Sequence, residues 1–191
     1  MSDAVPASSA DRGSVHSADG GAADGAAVHP ADGGAADPAA LIAAASSRGW
    51  MLATAESLTA GALVARLVDV PGASAVIAGG AACYSYSAKT RVLGVDAEEL
   101  ARTGAVTASV AVAMARGAQQ LYDADLAVST TGVAGPGPDA TGVPEGTVHL
   151  GIARRDGTAL TRELHLSGGR EAIRALTVQA ALDLLGEQLE A

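Results

Sequence analysis

Lys89 is the only lysine in a chain whose other eleven basic residues are all arginine. Arginine does not give up its proton in a protein. A lysine does once burial or a neighbouring charge lowers its pKa, so the exception is the residue type that can serve as a base. The plain alternative is a lone solvated lysine on the surface. Tyr84 lies five residues earlier, in the run Tyr84-Ser85-Tyr86-Ser87-Ala88-Lys89. The pattern puts this run where a strand ends, and strand ends and the loops after them are where α/β enzymes keep their chemistry. Ser57 has a comparable place, between a strand expected over Trp50 to Thr54 and a helix beginning near Thr59. A hydroxyl there gains from the free N–H groups of a helix start, which stabilise a developing oxyanion. Helix capping is the plain reading for Ser57, and strand packing for Tyr84.

The elements that must position these groups are legible in outline. Asp37 can cap a helix over 38–48 that has Pro38 at its first position and ends at Gly49. After the strand at Trp50–Thr54, the apolar spacing of Leu63, Val64, Leu67 and Val68 predicts a helix from Thr59 to about Val70, stopped by Pro71-Gly72. A strand is expected from Ala75 to Tyr84, interrupted at Gly79-Gly80. Asp96 to Glu99 reads as a capping-box helix start, and a further helix should cover 108–121. Leu126 to Thr131 reads as a buried strand. Residues 132–146, rich in glycine and proline, form a long loop. A hairpin over 147–154 and 158–166 turns at Asp156-Gly157, and a last helix covers 169–189. Early alternation of helices and strands with a late hairpin predicts an α/β fold: three layers, α/β/α, around a mixed, mostly parallel sheet.

Composition narrows the function classes. The chain has 191 residues, about half of them apolar, with 2% aromatics and no Phe, so Ala, Val, Leu and Ile must fill the core. The net charge of −9 argues against a nucleic-acid partner bound through a broad basic surface. Residues 1–40 hold six acids and only Arg12, whereas 41–191 hold fifteen acids against eleven bases. Residues 1–37 have little to bury, and VHSADGGAAD (15–24) recurs as VHPADGGAAD (28–37). They read as a disordered duplicated tail before one domain over 38–191. His16 and His29 fall at matching repeat positions, but copied low-complexity sequence explains them without a metal. Cys83 is alone, so no intrachain disulfide or cysteine-rich metal site forms. No apolar run long enough to span a membrane and no secretory signal appear, so a cytoplasmic location with no membrane partner is expected.

Seven segments resemble the CinA C-terminal domain, in that family's order and close to its spacing: Thr54 to Gly61, Tyr84 to Lys89, Leu93 to Val95, Gly104 to Val106, Thr131 to Pro136, Gly146 to Val148 and Gly169 to Arg174. The likeness covers about 39–188. It implies a metal-free and cofactor-free nicotinamide-nucleotide amidohydrolase (PncC), converting nicotinamide mononucleotide and water to nicotinate mononucleotide and ammonia. The stand-alone form, without the domain that precedes it in larger relatives, and a homo-oligomer are further expectations. Carried over by motif, the catalytic residues are Ser57, Tyr84 and Lys89. Ser57 would attack the carboxamide carbon, and Lys89 would take its proton directly or through Tyr84.

The substrate-binding residues expected beside them are Glu56, Thr59, Gly132, Ala134, Gly135, Arg170 and Arg174. The Gly132–Gly137 loop offers backbone N–H groups for a ribose-phosphate or an oxyanion, or is simply a tight connection. Arg170 and Arg174, four apart near a helix start, share a face that suits a 5′-phosphate or plain solvent. The chain departs from the family pattern at Leu58–Gly61, at Tyr86-Ser87 and at Val143. The competing readings are a catalytically inactive binding or regulatory protein and an amidase for another small carboxamide. His149 and His165 lie on strands without clustered partners, which disfavours a metal hydrolase.

Overall fold

The computed structural model describes residues 35–191. The disordered tail expected over 1–37, with His16 and His29, falls outside that range except at its end, where Ala36 is tied down: its N–H donates to Asp183 at 2.8 Å and its carbonyl accepts from Gln179 at 3.3 Å. Asp37 accepts the Ala39 N–H and opens α1 (Pro38–Arg48), which Gly49 closes at a φ of 64°. Five strands follow: β1 (Leu52–Glu56), β2 (Ile77–Ala82), β3 (Leu126–Gly132), β4 (Thr147–Arg154) and β5 (Ala159–His165). They form one sheet in the order β2-β1-β3-β4-β5. β2 and β3 both run parallel to the central β1, β4 is antiparallel to β3, and β5 is antiparallel to β4. Only β4 therefore opposes the common direction.

The chain moves outward from β1 to β2 and then back across β1 to β3. Right-handed crossovers in opposite directions put the connecting helices on opposite faces. One face of the sheet carries Leu52, Leu126, Val128, Val148, Leu150 and Ile152, which pack under α1, α2 (Ala62–Val68) and α6 (Arg170–Glu190). The other face is built from small residues, among them Ala53, Ala55, Ala127, Ser129 and Gly151. Over it lie α3 (Tyr86–Leu93), α4 (Ala97–Thr103) and α5 (Ala108–Leu121).

The small face lets the α5 backbone approach the sheet closely. Ser129 Oγ donates to the Ala111 carbonyl at 2.6 Å, and a Cβ on Gly151 would run into that same carbonyl group. A Cβ on Gly117 would likewise strike the Leu93 carbonyl where α5 crosses the end of α3. In a chain with no Phe, close backbone packing takes the place of bulky side chains.

Several boundaries differ from the sequence expectation. β1 starts and ends two residues later than Trp50–Thr54. The helix expected from Thr59 begins at Ala62, because residues 57–61 form a turn with Ala60 and Gly61 at positive φ. β2 is not interrupted: Gly79 and Gly80 stay in the strand, where the Tyr122 ring and the Val64 side chain occupy the space a Cβ would need. The run from Tyr84, expected where a strand ends, leads straight into a helix over Tyr86–Leu93, capped by Ser85 Oγ accepting the Ala88 N–H. Asp96 caps α4 through the Glu98 N–H.

Gly151→Ala should lower the unfolding free energy by about 2 kcal/mol through overpacking against α5. Denaturant unfolding of the full chain measures this directly, and an unchanged midpoint would contradict the close α5–sheet contact.

Candidate active site

The carboxyl ends of β1, β2 and β3 open on one edge of the sheet, and each releases its chain into the same crevice. Ser57 follows β1 directly, and its N–H donates to the Thr130 carbonyl of β3 at 2.9 Å. Cys83 follows β2 and donates its N–H to the Glu56 carbonyl at 2.7 Å. These two bonds extend the sheet pairing one residue past the strands, so the residues leaving them are placed by the sheet rather than by loop conformation.

The turn from Ser57 to Gly61 is held from below. The buried Glu56 carboxylate accepts N–H groups from Gly61 at 2.9 Å, Leu63 at 3.0 Å and Val64 at 2.9 Å, together with the Thr54 hydroxyl at 3.1 Å. An anion at the first turn of α2 also suits the helix dipole. Arg174, reaching from α6, donates Nε to the Leu58 carbonyl at 2.8 Å and Nη2 to the Thr59 carbonyl at 3.0 Å. The Thr59 hydroxyl lies 2.7 Å from that of Thr130. Because Glu56 satisfies the helix start, the Ser57 hydroxyl is not spent on capping.

Its partner is Lys89, on the first turns of α3 and fully buried. Lys89 Nζ lies 2.9 Å from Ser57 Oγ and donates to the Cys83 carbonyl at 2.8 Å and, more weakly, to the Tyr84 carbonyl at 3.4 Å. Among the described residues no carboxylate forms an ion pair with it. Burial therefore pulls its pKa down from 10.5 to about 8, a shift partly offset by the nearby Cys83 thiol. Burial in turn pushes the Cys83 thiol up. A neutral amine keeps two N–H groups for the two carbonyls, which leaves its lone pair facing the Ser57 hydroxyl.

Ser57 and Lys89 form the floor of a cavity of about 380 Å³. Tyr84 and Tyr86 line one side, and the loop from Gly132 through Ala134 and Gly135 to Thr141 lines the other. Arg170, exposed at the start of α6, donates Nη1 to the Gly135 carbonyl at 2.9 Å and Nη2 to the Tyr84 hydroxyl at 3.1 Å, and so bridges the two sides. Of the expected residues, Ser57, Tyr84, Lys89, Gly132, Ala134, Gly135 and Arg170 come together here. Glu56, Thr59 and Arg174 do not line the cavity, because each is committed to fixing the turn beneath it. The Tyr84 hydroxyl meets Arg170 rather than Lys89, so the contact between serine and lysine is direct.

Glu145 was not singled out by its sequence. Its carboxylate accepts the Gly137 N–H at 2.7 Å and fills the space beside Gly135, where φ is +81° and a Cβ would collide with it. It thus holds the loop against the cavity. Nothing in the spacing of Pro144-Glu145-Gly146 marks that contact. His149 is buried with its pKa lowered by burial, while His165 is exposed beside Glu163. Among the described residues no three metal-binding side chains cluster, and no helix is long and apolar enough to cross a membrane. A larger, more open groove of about 590 Å³ along α5 lies away from Ser57 and Lys89.

Two substitutions test this construction. Glu56→Gln presents an amide NH₂ to backbone donors and should cost about 2 kcal/mol in denaturant unfolding; an unchanged midpoint would show that the turn does not depend on the carboxylate. For Lys89, the depressed pKa means that between about pH 8 and 10.5 the unfolded chain binds a proton that the folded chain has lost. Stability then rises with pH across that window and is flat below it. Subtracting the curve for Lys89→Met should isolate the rise, and parallel curves would contradict the lowered pKa.

Residues 36–189 match the family model of the CinA C-terminal domain. The chain is 51% identical over 146 residues to a CinA-like protein of Mycolicibacterium gilvum, covering 76% of this chain and 35% of that protein. It is 44% identical over 144 residues to a putative competence-damage inducible protein of Geobacillus kaustophilus, covering 75% and 34%. It thus spans about a third of the length of these curated relatives. Among solved structures, a CinA superfamily protein of Klebsiella pneumoniae superposes with a TM-score of 0.77 at 37% identity, over 80% of this chain and 95% of that one. A competence/damage inducible protein of Agrobacterium tumefaciens gives 0.76 at 38% identity, over 81% and 96%. With nearly all of the described residues under that model, the chain belongs to the CinA C-terminal domain family.

Proposed function

We propose that the chain is an amidohydrolase that converts nicotinamide mononucleotide to nicotinate mononucleotide and ammonia, with Ser57 as nucleophile and Lys89 as its base. The observation that carries the chemical part is the direct 2.9 Å contact between the serine hydroxyl and a fully buried lysine held near pKa 8. The substrate itself follows the family resemblance.

In this mechanism neutral Lys89 takes the Ser57 proton as Oγ bonds to the carboxamide carbon. The carbonyl π electrons move to the oxygen, which becomes an oxyanion. The Leu58 and Ala134 N–H groups stand at the cavity, have no hydrogen-bond partner among the described residues, and are the donors assigned to it. When the C–N bond breaks, the Lys89 ammonium returns the proton to the departing nitrogen and ammonia leaves. Water then attacks the acyl-serine, again with Lys89 as base, to release the carboxylate and restore Ser57. Arg170 is the cation at the cavity mouth, and a substrate phosphate would replace its Tyr84 and Gly135 contacts. Tyr84 holds Arg170 and the wall rather than relaying the proton.

Ammonia release from nicotinamide mononucleotide by the full chain, without added metal, tests the reading. Ser57→Ala and Lys89→Ala should each lower kcat/KM by about 10³-fold or more, whereas Tyr84→Phe should lower it far less. For the native chain kcat/KM should climb with pH and level off above about 8, because only the deprotonated lysine accepts the proton. Full turnover by Lys89→Ala would remove the mechanism. No turnover by the folded native chain would favour a binding role or another carboxamide.

A further inference from the structure

Aromatic residues are scarce in this chain, with one Trp, three Tyr and no Phe, so where each one goes is informative. Trp50 has the guanidinium groups of Arg48 and Arg154 over its ring, 5.1 and 5.0 Å from the ring centre. Tyr122 packs over Gly79 of β2. The remaining two, Tyr84 and Tyr86, are left 61% and 44% exposed, and both line the cavity above Ser57 and Lys89. The Tyr84 hydroxyl is occupied by Arg170, whereas the Tyr86 hydroxyl has no hydrogen-bond partner among the described residues.

Tyr86 is the first residue of α3 and stands three positions before Lys89, so the two share a helix face. Helical side chains lean toward the N-terminus. Lys89 accordingly reaches back to the carbonyls of Cys83 and Tyr84, which precede the helix. Both residues line the same cavity. An exposed tyrosine ring on a cavity wall keeps apolar surface in water that a flat ligand would cover, and rings in offset or edge contact gain beyond the area they bury.

We propose that Tyr86 is a specificity-determining residue: its ring is the wall against which a planar aromatic ring carrying the carboxamide lies, so that the site favours aromatic over saturated carboxamides. The proposal rests on the reading that Ser57 and Lys89 cleave a carboxamide, and it names the shape and electronic character of the group that amide is attached to.

The test measures equilibrium binding by ligand-observed NMR to the full chain carrying Ser57→Ala, which removes turnover. The ligands are nicotinamide mononucleotide, nicotinamide and cyclohexanecarboxamide, the last having a saturated ring of similar size. Both aromatic ligands should bind at least about fivefold more tightly than the saturated one. Adding Tyr86→Ala should erase that preference, Tyr86→Phe should retain it, and thermal melts of both variants should match the parent. Equal affinity for the saturated ring, a preference untouched by Tyr86→Ala, or no binding of either aromatic ligand would each overturn the proposal. Tyr86-dependent binding of the aromatic ligands by a chain whose native form releases no ammonia would uphold the wall while removing the hydrolase reading.

Discussion

A buried ammonium group without a carboxylate partner is among the least comfortable features a core can contain, and this fold is arranged around one. Lys89 is fully inside, and its hydrogen-bond partners are a serine hydroxyl and two backbone carbonyls. Both carbonyls belong to the segment leaving β2, and the hydroxyl belongs to the segment leaving β1. The amine therefore sits where two parallel strand ends converge, and those ends are fixed by hydrogen bonds to each other and to β3. Had a carboxylate been supplied as well, the charge would be cheaper to bury, but the lysine pKa would rise and the lone pair it exposes above about pH 8 would be lost there. The unfavourable burial and the lowered pKa are the same property.

Holding the serine to that amine falls to residues that never touch the cavity. The turn after β1 has Ala60 at positive φ, a conformation that an L side chain adopts only when its surroundings impose it. Glu56 gathers three N–H groups on one side of the turn, and Arg174 gathers two carbonyls on the other. Opposite charges thus grip different peptide groups of one turn, the carboxylate through N–H groups and the guanidinium through carbonyls. Arg174 can do this because α6 packs along the large-residue face of the sheet through Ile173, Val178, Leu182 and Leu185. The last helix in the sequence therefore fixes a turn more than a hundred residues earlier.

The sequence made this division of labour only partly legible. The helix α1 stands where its Asp37 cap and Pro38 put it, and α5, which Thr107 caps, covers the expected 108–121. Lys89 stood out because its exception to an all-arginine composition is visible without any contact. The alternation of Tyr84-Ser85-Tyr86-Ser87 favours strand, and α3 forms there because Ser85 caps it and its core-facing residues, Lys89 and Leu93, find a buried home. Glu56 and Arg174 read as substrate ligands since a charge near a motif serine or a helix start looks the same whether it points into a cavity or beneath it. Their partners lie between two and 116 positions away, and no spacing rule carries that information. Glu145 went unmarked for the same reason.

The choice of lysine at position 89 also follows from the space available, independently of composition. A guanidinium there would present five donors in a rigid plane to a pocket that offers two carbonyls and one hydroxyl, leaving buried N–H groups without partners. It would also keep its proton at any pH the fold survives, so the serine would face a permanent donor and never an acceptor. Elsewhere the chain uses arginine where planar, multidentate contacts are needed: Arg155 on Asp123 and Asp125, Arg162 on Glu187, and Arg174 on two carbonyls. The one site where those virtues become faults is the one that holds the lysine. Composition, cavity shape and proton chemistry converge on that residue, which is why a single count in the sequence could point to the floor of the cavity.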